Sequence, residues 1–185
     1  MELLEGELEI LLNNAARDKL NESIPNASPS GKTVAIRKLI EISKNSLRIS
    51  SDDLDAGFEE NYSSFESYLS ADSSRKIYFL LTKEKGSNFK LAYNLLERYG
   101  DQVEISYLDK ERLKSKHVKA KLIYLIVSDD TAQRLEIVEK PLEYSRGATV
   151  NFGNKKAAKQ VRNVFDMLRE DCSLSTYLKL PLKSS

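Results

Sequence analysis

Lys76-Ile77-Tyr78-Phe79-Leu80-Leu81 is the stretch on which the fold turns. After the lysine every residue is aliphatic or aromatic, the run has the length of a strand, and no polar residue alternates through it. It is expected to be a strand covered on both faces, and therefore central in its sheet.

On its C-terminal side, Phe89, Ala92, Leu95 and Leu96 recur at helical spacing through Asn88–Tyr99, and Gly100 supplies a stop. Val103, Ile105 and Tyr107 then alternate with Glu104 and Ser106, which predicts another strand. On its N-terminal side, Phe58, Tyr62, Phe65, Tyr68 and Leu69 lie three or four apart, a helix preceded by the short strand Ser46-Leu47-Arg48-Ile49-Ser50. Before that, Val34, Leu39, Ile40 and Ile42 mark one more helix. Strand, helix, strand, helix, strand is the order of parallel βαβ units.

Past Tyr107 the rhythm changes. Lys121 to Val127 is an apolar strand, Asp129-Asp130 a turn, and Arg134 to Val138 an antiparallel partner. Ala148 to Phe152 forms a further strand before a long helix whose Ala157, Val161, Val164, Phe165 and Leu168 share a face. The expected fold class is α/β, a mixed, mostly parallel sheet flanked by helices, with an N-terminal amphipathic helix. That helix occupies residues 1–22, with Leu4, Leu8, Leu11 and Ala15 on one side. A linker rich in proline and serine follows over 23–31, the α/β domain over 32–171 and a tail over 172–185.

Composition narrows the chemistry. In 185 residues, 29 Lys and Arg nearly cancel 28 Asp and Glu, leaving a formal net charge of +1, so attraction to an anionic partner must come from a local patch. Cys172 is the only cysteine, which excludes an internal disulfide and a thiolate metal cluster and suits a reducing, cytoplasmic compartment. His117 is the only histidine, which excludes a multi-histidine metal site. No basic leader and no apolar run of membrane-spanning length is found, so a soluble chain with no membrane span, no metal and no cofactor is expected.

Three motifs compete for function. Ser30-Gly31-Lys32-Thr33 imitates the end of a phosphate-binding loop, but the glycine needed five positions before Gly31 is Asn26. Helix capping by Thr33 or Ser30 is the reading that fits. Asp52, Asp53 and Asp55, with Glu59 and Glu60, have the ligand type for Mg²⁺, yet they also suit a helix N-terminus, the reading taken here. The densest charge feature is Lys110, Arg112, Lys114, Lys116, His117, Lys119 and Lys121, seven cationic or titratable groups in twelve positions. With Lys155 and Lys156 at the start of the last helix, these are the candidate anion-binding residues, suited to a phosphate backbone.

His117-Val118-Lys119, followed by an apolar strand, an acidic turn, a second strand and a terminal amphipathic helix, resembles the second half of a phospholipase D-like domain. The order of elements from Lys32 onward agrees with the first half. The strand at Leu47–Ser50 followed by Asp52-Asp53-Leu54-Asp55 is more closely similar to a bacterial group of catalytically degenerate phospholipase D-like domains. Active members of the family carry His-x-Lys-x₄-Asp and then Gly-Ser-x-x-Asn. The register does not close in this chain: counting from His117 and Lys119, the aspartate position is Tyr124. Gly147-Ala148-Thr149-Val150-Asn151 is the nearest imitation of the second motif.

The resemblance implies a non-catalytic binding or assembly module that engages an anionic, phosphate-bearing partner such as nucleic acid, or a protein partner through the N-terminal helix. The alternative it implies is a homodimeric phosphodiesterase or nuclease, with His117 as nucleophile and Lys119 as phosphate ligand.

Overall fold

The computed structural model describes residues 5–82, 88–108, 124–137 and 147–173. Among them seven strands form one sheet in the order β1-β7-β6-β5-β2-β3-β4. The strands are β1 (Ile24–Pro25), β2 (Ser46–Ser51), β3 (Lys76–Leu81), β4 (Val103–Tyr107), β5 (Tyr124–Ser128), β6 (Ala132–Ile137) and β7 (Gly147–Asn151). The helices are α1 (Glu5–Asp18), α2 (Pro29–Ile42), α3 (Ala56–Glu59), α4 (Tyr62–Ala71), α5 (Lys90–Tyr99) and α6 (Lys155–Ser173).

The α/β class and the mixed sheet agree with the sequence; the expected predominance of parallel pairing does not. Only β2–β3 and β3–β4 are parallel, while the four other described pairings are antiparallel. The helical crossovers after β2 and β3 return the chain parallel. The tight turn at Asp129-Asp130 can only fold β6 back on β5, and β5 itself inserts antiparallel beside β2.

β3 behaves as its composition demands. Ile77, Phe79 and Leu81 point to one face, together with Leu47, Ile49, Ile126 and Val150, and this layer is covered by α1, α2, α4 and α5. Leu80 points to the other, where it meets Leu125, Val127 and the Val161, Phe165 and Leu168 stripe of α6. Each fully buried side chain of this kind contributes about 1.5–3 kcal/mol, so both layers matter to stability.

The aromatic helix is two helices. Asn61 breaks it: its buried carboxamide donates to Gly57 O at 2.8 Å and Thr33 O at 2.9 Å, tying the α3–α4 junction to α2. The cap of α2 is Ser28, whose Oγ accepts from Gly31 N at 3.1 Å, rather than Ser30 or Thr33. Gly31 is closely packed: a Cβ there would lie 2.8 Å from Ser28 Oγ and 2.9 Å from the Leu8 side chain of α1, so both side chains would have to shift. The stretch read as a linker carries β1, which pairs with β7.

α1 buries Leu8, Leu12 and Ala15 in the same core as the sheet, and Glu9 pairs with Arg37 of α2 at 2.6 Å. Leu12 takes the inward place expected of Leu11, which is 38% exposed. No helix among the described residues is long and apolar enough to cross a membrane.

Candidate functional site

β2, β3, β4 and β6 end at one edge of the sheet, and β5 and β7 begin there. Open α/β sheets place ligands beyond the carboxyl ends of their parallel strands. A cavity of about 590 Å³ opens at this edge, between the start of α2, the loop after β2, and β6. Its polar side chains include Lys32, Asp55, Glu60, Arg134 and Glu136.

Arg134 is the unusual member, only 3% exposed. Its Nε donates to Asn26 Oδ1 at 2.8 Å and its Nη1 to Glu136 Oε2 at 3.3 Å. Burial holds the guanidinium below its usual range, and Glu136 offsets part of that effect. Arg134 lies on β6, where the sequence predicts a strand and suggests no role for it. The available signal was the spacing: Arg134 and Glu136, two apart on a strand, share a face with Ala132, which is in the core.

The acidic loop at this edge is spent on the fold. The Tyr124 hydroxyl donates to the Asp52 carboxylate, the Asn88 N–H to Asp53 Oδ1 at 2.8 Å, and Lys32 Nζ to Asp55 Oδ2 at 2.6 Å. Glu59 accepts from the Asn88 carboxamide at 2.7 Å and Glu60 from Thr33 Oγ1 at 3.0 Å. Among the described residues no cluster of His, Cys, Asp or Glu is arranged to hold a metal ion.

Lys110, Arg112, Lys114, Lys116, His117, Lys119 and Lys121 lie outside the described residues. The two positions beside them that bear on phosphodiester chemistry are described. Tyr124 occupies the place of the motif's aspartate and is bonded to Asp52. The Asn151 oxygen accepts from Gly153 N at 3.0 Å and Asn154 N at 2.7 Å, so this carboxamide shapes the turn into α6.

Lys155 and Lys156 sit at the opposite edge, exposed, in the first turn of α6, which holds no acidic residue. The helix macrodipole places partial positive charge at that end, so each lysine there costs about 0.3–1 kcal/mol at low ionic strength. A cleft of about 820 Å³ at the same edge is lined by the cations Lys19, Lys44, Arg75 and Arg162, by the carboxylates Glu41, Asp129 and Asp130, and in part by Phe152. Arg162 pairs with Asp130, whereas Lys19, Lys44 and Arg75 have no carboxylate at ion-pair distance among the described residues. The cleft and Lys155 are neighbours, since Gly153 abuts the Lys19–Asn21 backbone. Lys155 and Lys156 thus lie at the same edge of the sheet as Lys19 and Lys44 without lining that cleft, while Leu108 and Tyr124, which flank the Lys110–Lys121 segment, lie at the other edge.

No family model matches the chain, and no curated protein does. Among solved structures it is similar to TrmBL2, an archaeal chromatin protein whose structure shows a novel mode of DNA binding, with 14% identity and a TM-score of 0.53. The likeness covers 88% of this chain and 60% of that one, so this chain spans less than two thirds of its neighbour's length. At that identity the shared property is the α/β fold.

Proposed function

We propose that the chain is a non-catalytic binding module of the phospholipase D-like type that engages a phosphate-bearing partner, nucleic acid in particular. The observation that carries this reading is the placement of Lys155 and Lys156, cations set where the helix dipole disfavours them, at the same edge of the sheet as Lys19 and Lys44. Charges that cost the fold stability call for another use, and phosphate contact is the use their chemistry fits. The Lys110–Lys121 segment supplies a second basic set in the sequence. The DNA-binding role of the structural neighbour fits the same partner. A protein partner would meet Ile10 and Leu11, the outward apolar side chains of α1.

The test is fluorescence anisotropy with a labelled duplex of about 30 base pairs. If about four phosphates are neutralised, affinity falls roughly 100-fold between about 50 and 200 mM salt. The double substitution Lys155→Glu and Lys156→Glu is expected to weaken binding at least about tenfold, while raising fold stability by roughly 0.6–2 kcal/mol through the helix dipole. Reversal of Lys114, Lys116 and Lys119 measures the second set separately. Absence of binding at low salt, or binding unchanged by both reversals, rules the reading out.

A further inference from the structure

The cavity at the carboxyl edge is separate from the basic edge, and its chemistry differs. Arg134 is buried and has donors on Nε and Nη1 engaged, yet among the described residues its Nη2 has no acceptor, and this atom is not among the buried atoms closed off without a partner. It therefore opens on the cavity that Arg134 lines. Water reaches this donor in the open cavity, and an anionic ligand group that replaced that water would gain a charge-assisted hydrogen bond. The same cavity offers acceptors as well. Glu60 commits Oε2 to Thr33 and Asp55 commits Oδ2 to Lys32, which leaves Glu60 Oε1 and Asp55 Oδ1 unbonded among the described residues.

Groups of both signs that keep some bonding capacity face one half-open cavity of about 590 Å³, a volume within the range of small-molecule sites. An inorganic phosphate would satisfy Arg134 but would bring two negative charges against Asp55 and Glu60. A simple amine would do the reverse. We infer that the cavity binds a small zwitterion of the amino-acid class, its carboxylate on the Arg134 guanidinium and its ammonium toward Glu60 and Asp55. The apolar wall needed to hold the rest of such a ligand comes from Ala27, Val34 and Ala148.

The experiment is a thermal-shift and calorimetric titration of the full chain with each of the twenty common L-amino acids. Acetate, methylammonium and inorganic phosphate serve as single-sign probes. At least one amino acid is expected to raise Tm in proportion to the logarithm of its concentration, with none of the three single-sign probes doing so. Glu60→Gln, on an exposed side chain and so expected to fold normally, should weaken the Kd at least about tenfold, and Arg134→Lys should do the same by withdrawing the Nη2 donor. If no amino acid binds at about 10 mM, the inference is wrong. It is equally overturned if acetate or phosphate binds as well as the zwitterion, or if binding survives Glu60→Gln undiminished.

Discussion

Gly153→Ala is expected to destabilise the protein by about 3–5 kcal/mol, the upper range for a single substitution, lowering Tm by roughly 10 °C for a domain of this size. A Cβ at Gly153 would lie 2.0 Å from Lys19 O, 2.8 Å from Leu20 C and 2.9 Å from Asn21 N, all backbone atoms that cannot rotate aside. This is where the chain leaving α1 crosses the turn from β7 into α6. The Lys19 backbone is already committed to a left-handed conformation, φ 50°, and Leu20 N closes the helix on Ala15 O at 3.0 Å. Relief of the clash must move α1 and its buried Leu8, Leu12 and Ala15, or push β7 away from β1. Gly147→Ala is the control, since among the described residues a Cβ there meets nothing within 4 Å, and a change within about 0.5 kcal/mol is expected. Thermal unfolding of the two variants side by side checks the argument. Equal Tm values for both would show that the crossing is not tightly packed.

Much of the sheet was legible because hydrophobic period is a local property. The ends of β3 and β4 coincide with the apolar run Lys76–Leu81 and the alternation Val103–Tyr107, and β2 extends its expected span by one residue, Ser51. The direction of pairing was less legible, because it depends on which strands become neighbours. β5 lies between β2 and β6, so a sequence-distant strand enters the sheet antiparallel at its centre, and nothing within residues 121–127 records that. β1 was missed for a related reason. Two residues containing a proline carry no period, and their pairing with Val150 and Thr149 is specified from the far end of the chain.

The functional surfaces divide in the same way. Lys155 and Lys156 could be named from the sequence, since a basic first turn is visible on any helix, but their company could not. Lys19 and Lys44 join them only because the exit of α1 and the α2–β2 turn meet at one edge. Arg134 was hidden by the opposite effect. A charged residue on a strand reads as solvent-facing, and only the cover of β6 by α2 and β1–β7 makes it interior. The acidic run Asp52-Asp53-Leu54-Asp55, which the sequence suggests as the dressing of a helix N-terminus, instead ties several elements together, and the Asp55 side chain makes no capping hydrogen bond to α3. The carboxylates of the run reach β5, the start of α5 and α2.

Asp129→Ala is expected to cost about 2–4 kcal/mol, because one carboxylate organises a turn far away in sequence. Asp129 Oδ1 accepts from Asn45 N at 3.0 Å and Ser46 N at 2.8 Å, and Oδ2 from Lys44 N at 2.8 Å. Asp129 N donates in turn to Ser46 O at 2.9 Å. The β5–β6 turn thereby fixes where β2 begins and sets the register of Leu47 against Ser128, from which the rest of that pairing follows. Bonds to a charged acceptor are worth about 1.5–3 kcal/mol each, but Lys44 and Asn45 are exposed, so water replaces part of what is lost there. A second contribution is conformational: Asp129 has φ 50°, which aspartate, asparagine and glycine tolerate better than alanine. Asp129→Gly separates the two, since it keeps the backbone freedom and removes only the acceptors, and it should recover a fraction of the loss on chemical denaturation. Asp129→Asn retains Oδ1 and with it two of the three bonds, so it should be the mildest of the set. If alanine and glycine proved equally mild, the carboxylate would be a bystander at this turn and the β2 register would have to be held by the strand pairing alone.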